Sequence, residues 1–125
     1  MLADAADAKM KRHSHGIRNV SATAPAKLCT LAELAARIPD GAVVGLGGVF
    51  LHRGPFALVR ELVRRGARGL DIVKPSPGYD LDLLCRAGAV ARARAGIVAM
   101  EGRYGLAPWY RKAVERGETR LEEHA

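Results

Sequence analysis

The residues best suited to chemistry lie in one short stretch, Gly45-Leu46-Gly47-Gly48 followed by His52-Arg53-Gly54-Pro55. Glycine allows positive φ and leaves its amide N–H unobstructed, so Gly47 and Gly48 are suited to donate to a carboxylate or carbonyl oxygen. The same pair fits a bare strand-to-loop turn equally well. Arg53 offers a planar fork that grips a carboxylate through two parallel N–H bonds. A purely structural arginine at the start of a helix fits its position as well. His52 is a lone loop histidine beside them. Glu101 and Glu123 stand at the ends of predicted elements, where solvated or helix-capping roles compete with acid–base chemistry.

Familiar nucleotide sites do not fit this stretch. A dinucleotide fingerprint needs a third glycine where the chain has Phe50, and its acidic partner fails because Asp71 opens the second predicted strand instead of closing it. A phosphate-cradling loop needs Lys followed by Ser or Thr, and the chain reads Leu51-His52-Arg53-Gly54. No metal site is expected. Cys29 and Cys85 are far apart, with no further thiol or histidine at ligand spacing, and both read as plain buried thiols. His13 and His15 read as solvated side chains.

Composition narrows the class. Hydrophobic residues form 49% of the 125 residues and charged residues 26%, ordinary usage for one folded domain. The longest apolar runs, Ala42 to Leu51 and Ala95 to Met100, fall short of the roughly 20 residues that span a bilayer, so no membrane partner is expected. Met1 to Lys11 contains Asp4 and Asp7 and lacks an apolar signal core, which makes the cytoplasm the natural assignment. The net charge of +7 is compatible with nucleic acid, but its arginines are scattered over predicted helix faces and base-stacking aromatics are few. No nucleic-acid role is expected.

Residues 1–26 show neither a strand nor a helix period and read as a flexible tail; residues 27–125 form the domain. Thr30, three residues before Glu33, makes a capping box for a helix through Leu31, Leu34, Ala35 and Ile38. Ala42 to Leu46 reads as a strand covered on both faces. Pro55 opens a helix that buries Phe56, Val59, Leu62 and Val63 and ends at Gly66. Leu70 to Val73 is a second strand, Asp80 caps a helix over Leu81 to Ala87, Ala95 to Met100 is a third strand, and Pro108 opens a helix ending at Gly117. This alternation predicts an α/β fold, a layered parallel sheet with flanking helices. Ligands gather at the carboxyl ends of such strands, which places three loops on one edge: Gly47 to Gly54, Lys74 to Tyr79 and Glu101 to Ala107.

Asp40-Gly41, then Gly45-Leu46-Gly47-Gly48, then Arg53-Gly54-Pro55 resembles the α-subunit signature of the family I coenzyme A transferases, nearest to the glutaconate CoA-transferase α-subunit branch. Gly88-Ala89-Val90, Trp109-Tyr110-Arg111-Lys112, Gly117 and Leu121-Glu122-Glu123-His124 resemble later parts of the same pattern. The likeness runs from about Leu28 to Ala125. Val49 stands where the family usually has phenylalanine, and His124-Ala125 replaces its tyrosine and serine.

The resemblance implies the NagB/RpiA/CoA transferase-like fold and the amino-terminal part of such a subunit, incomplete as this chain stands. It implies exchange of CoA between carboxylic acids through a glutamate of a partner β-subunit, which forms an acyl anhydride and then an enzyme–CoA thioester. Substrates would be acyl-CoA and a carboxylic acid, with no permanently bound cofactor. Gly47, Gly48 and Arg53 would be substrate-binding, with no catalytic residue in this chain. Two alternatives remain: a CoA-ester hydrolase subunit of the same fold, in which Glu123 supplies the acid–base group, and a non-catalytic remnant.

Overall fold

A computed structural model describes residues 28–124; the expected tail, residues 1–26, and Ala125 lie outside the described residues. The element order is α1 (Leu31–Ala36), β1 (Val43–Gly45), α2 (Phe56–Arg64), β2 (Leu70–Val73), α3 (Tyr79–Arg86), β3 (Val90–Ala95), α4 (Pro108–Glu115) and β4 (Arg120–Glu123). The strands pair in parallel in the order β1-β2-β3-β4. The α/β parallel class read from the sequence is therefore the one observed.

Local chemistry sets the helix ends. Thr30 Oγ1 accepts from Glu33 N–H while the Glu33 carboxylate accepts from Thr30 N–H, the predicted capping box. A cap from another helix starts α4: Asp82 Oδ1, on α3, accepts from the Trp109 and Tyr110 amides at 2.7 and 2.9 Å. This satisfies two of the donors that a helix start leaves open. Gly66, Gly88 and Gly117 follow the ends of α2, α3 and α4 with positive φ, as helix stops require.

The helices pack in succession, α1 on α2, α2 on α3 and α3 on α4. The sheet row Val44, Ile72, Ala93 and Leu121 turns into their core, with Val59, Leu62, Leu81 and Leu84 fully buried opposite. Burying each such aliphatic side chain contributes about 1.5–3 kcal/mol. Cys85 lies in this core, and burial pushes its thiol up to about 12. Cys29 is exposed, against the expectation that both thiols are buried; it precedes α1, and no layer among the described residues covers it.

The other sheet face is bare among the described residues. Val43 stays 65% exposed, and the rows beside it carry Asp71, Arg92 and Arg120, then Val73, Arg94 and Glu122. Arg92 Nε and Arg94 Nη2 reach Asp71 Oδ2 at 3.1 and 2.7 Å, and Arg92 Nη1 reaches Glu122 Oε1 at 3.1 Å. Hydrogen bonding from Arg92, helped by the charges of Arg120 and Arg94, holds the Glu122 carboxyl below its ordinary value.

Three strand expectations need correction. β1 reads in the sequence as covered on both faces, but Val43 stands exposed on the face left bare among the described residues. The third strand is Val90–Ala95, not Ala95 to Met100, and β4 was not foreseen. Alanine and arginine are good helix formers, so Val90-Ala91-Arg92-Ala93-Arg94-Ala95 carries a weak strand signal. Its buried side is alanine because α3 lies close above it, and its arginines occupy the bare face. The apolar run after it forms a loop: the Gly96 and Ile97 amides donate to Pro75 O at 3.0 and 3.1 Å.

Candidate functional site

Three loops meet at the carboxyl edge of the sheet. In the first, Val49 and His52 exchange backbone hydrogen bonds of 2.9 and 2.7 Å, closing a tight turn. Gly48 sits within it at φ 85, and a Cβ there would lie 2.5 Å from His52 O and 2.7 Å from Arg53 O. Gly48 is therefore required by its own loop, whatever it faces. Gly47 has no positive φ and nothing within 4 Å of a Cβ position, so the turn itself gives no reason for a glycine there.

The second loop is fastened from beneath. Lys74 and Asp80 are wholly buried and pair at 2.5 Å, while Asp80 Oδ1 accepts from the Gly78 and Leu81 amides. This carboxylate, read from sequence only as a helix cap, ties the end of β2 to the start of α3. Phe50 N–H donates to Ser76 O at 2.9 Å. Gly78 fills the junction of all three loops, since a Cβ would lie 2.6 Å from Ala99 O and 2.8 Å from Phe50 Cα. Sequence reasoning missed both Lys74 and Gly78; the only signal was a polar residue directly after a buried strand.

In the third loop Glu101 O accepts from the Tyr104 and Gly105 amides, and the Glu101 backbone takes φ 102. Its carboxylate stands 3.2 Å from His52 Nε2 on the first loop.

Phe50, Arg53 and Glu101 are the non-glycine residues with positive φ among those described, and all three belong to this edge. Such backbone costs of order 1–3 kcal/mol per residue and collects where position matters. Gly47, Gly48 and Arg53 are exposed together. The Gly47 and Gly48 amides donate no hydrogen bond among the described residues, and Arg53 makes no ion pair among them. The arrangement can present two amide donors and a guanidinium to an oxyanion. Glu123 is not brought to them. It ends β4, three strand spacings or about 14 Å across the sheet from β1, beside a separate groove lined by Ile97, Leu106, Tyr110 and Leu121. No group of His, Cys, Asp and Glu among the described residues could hold a metal ion.

The fold and this edge define a parallel α/β domain whose carboxyl edge exposes backbone amides and an arginine and carries no nucleotide-binding fingerprint. The chain belongs to the coenzyme A transferase family, whose profile matches residues 29–124. It is 36% identical over 97 residues to the cholesterol ring-cleaving hydrolase IpdA subunit of Rhodococcus jostii, covering 78% of this chain and 32% of that protein. It is 35% identical over 106 residues to one subunit of the 3-oxoadipate CoA-transferase of Pseudomonas knackmussii, covering 80% and 36%. The solved glutaconate coenzyme A-transferase of Acidaminococcus fermentans superposes with a TM-score of 0.74 at 29% identity, over 80% of this chain and 32% of that one. The chain thus spans about a third of the length of these relatives. The family resemblance read from the glycine loop and the later motifs agrees with the family profile, the 3-oxoadipate CoA-transferase subunit and the glutaconate coenzyme A-transferase structure.

Proposed function

We propose that this chain forms one wall of the acyl site of a coenzyme A transferase and works with a β-subunit that carries the nucleophilic glutamate. The observation behind this reading is the Gly47 and Gly48 amides, which donate no hydrogen bond among the described residues, beside Arg53, which makes no ion pair among them, with Gly48 and Arg53 both at positive φ. The amides would hold the carbonyl or carboxylate oxygen of the acyl group, and Arg53 would pair with a carboxylate. Attack by the partner's glutamate on the thioester would give an anhydride and free CoA thiolate, whose return to the glutamyl carbonyl would break the anhydride, release the acyl group as a carboxylate and leave the enzyme–CoA thioester. Such covalent catalysis divides one hard acyl transfer into easier steps.

Incubating the chain, reconstituted with a β-subunit, with acyl-CoA and acetate should transfer CoA to acetate. Mass spectrometry should find the thioester on the β-subunit. A thioester on any glutamate from Glu33 to Glu123 would overturn the reading.

A second reading, a hydrolase subunit of the same fold that activates water against a CoA ester, draws its hydrolytic part from the likeness to a protein named as a ring-cleaving hydrolase subunit. Glu123 would then supply the acid–base group, acting from the β4 side of the edge. Hydrolysis without exchange that is lost in Glu123→Gln would select it.

A further inference from the structure

We propose that His52 and Glu101 form a proton-transfer dyad, with His52 as general base toward water at the glycine loop and Glu101 as its positioning residue. The inference rests on the reading above, that an acyl-CoA carbonyl lies against Gly47 and Gly48, and it gives that carbonyl a second fate.

Three independent features meet at this pair. First, the two side chains come from different loops, yet their separation is fixed by backbone. Gly78 is wedged against Phe50 and Ala99, and the Ala99 amide donates to Pro77 O at 3.2 Å. The His52 amide is held by Val49 O at 2.7 Å. Second, Glu101 takes φ 102, a conformation that side chains rarely adopt, and it lies opposite the strained Phe50 and Arg53. Third, Glu101 Oε1 is buried and forms no hydrogen bond among the described residues, although His52 Nε2 is 3.2 Å away. The distance is that of an ion pair, and the angle is outside hydrogen-bond geometry. Catalytic hydrogen bonds are often misaligned without ligand and tighten when substrate binds.

The exposures divide the labour. The His52 side chain is 73% exposed and that of Glu101 30%, so the carboxylate is the fixed member and the imidazole the one open to a reactant. With Nε2–H donated to Glu101 Oε1, the lone pair on Nδ1 is free to take a proton. In the step proposed, Nδ1 accepts a proton from water as the water oxygen bonds to the thioester carbon. The negative charge moves to the carbonyl oxygen at the Gly47 and Gly48 amides. Collapse of that intermediate breaks the C–S bond, and the departing thiolate takes the proton back from the imidazolium. The products are a carboxylic acid and CoA thiol, with no other reactant. Glu123 sits across the sheet, so this pair is the acid–base group adjacent to the glycine loop.

The test uses the full chain reconstituted with its β-subunit, following two products from acyl-CoA: CoA passed to acetate and CoA released to water. In His52→Gln the ratio of release to transfer should fall about 100-fold, the scale of general-base catalysis. Glu101→Gln should lower kcat for release with KM unchanged, and Glu101→Asp should recover part of it. Nitrogen NMR of the unsubstituted chain should show the Nε2–H tautomer at His52, lost in Glu101→Gln, a readout that does not depend on activity. A complex that transfers CoA but never releases it to water overturns the dyad and leaves the transferase reading standing. An unchanged ratio in His52→Gln, or an Nδ1–H tautomer, overturns it as well. Neither transfer nor release from the unsubstituted complex overturns both.

Discussion

The two ends of the sheet are built on opposite terms. At the amino end, every turn with positive φ uses glycine: Gly41, Gly66, Gly69, Gly88 and Gly117. Four of these five have nothing within 4 Å of a Cβ position, and Gly69 meets Gly41 only at ordinary contact distance. At the carboxyl end, positive φ falls on Phe50, Arg53 and Glu101 as well as on glycine. The glycines Gly48, Gly78 and Gly96 are there hemmed in by backbone carbonyls. The first arrangement only reverses the chain. The second fixes loops relative to one another at a conformational cost.

The largest expected effect comes from the fastening beneath the carboxyl end. Lys74→Met would leave Asp80 charged and buried without its partner, and the loss of stability should be about 3–5 kcal/mol. Urea unfolding measures it, and a loss under about 1 kcal/mol would show that the pair does not hold the second loop.

Next in size, Gly78→Ala should cost about 3 kcal/mol, because its methyl group meets backbone on two loops that cannot both retreat. Gly88→Ala at the amino end has open space and bears only the left-handed penalty, about 1 kcal/mol. Equal losses in the two variants would erase the contrast between the ends.

The smallest effect has the opposite sign. Arg53→Gly relieves positive φ and should stabilise the chain by about 0.5–1 kcal/mol after the glycine's greater freedom when unfolded is allowed for. Carboxylate recognition should be lost in the same variant. Destabilisation by Arg53→Gly would mean that its side chain is anchored in the fold and not held ready for a ligand.

What the sequence made legible follows the same division. Helix starts and stops depend on neighbours along the chain, so the Thr30–Glu33 box, the Pro108 opening and the Gly66, Gly88 and Gly117 stops could all be read directly. Strands were legible where both neighbours bury apolar side chains, as at Leu70–Val73. They were missed where the bare face carries charge, since Arg92, Arg94 and Glu122 answer one another across strands that are distant in sequence. The glycine loop and Arg53 were visible as residue types. The positive φ of Arg53 and Glu101, and the Lys74–Asp80 fastening, depend on loops that meet only in three dimensions.

Gly47→Ala in the reconstituted complex tests the carboxyl edge as the ligand site most directly. The turn has room for this methyl group and φ does not forbid it, so the thermal midpoint should stay unchanged. An acyl group lying against the Gly47 amide would be displaced by about the width of a methyl, and misplacement on that scale lowers kcat/KM by about 100-fold. Full activity in Gly47→Ala, with the fold intact, would contradict the assignment of this edge as the place where the substrate binds.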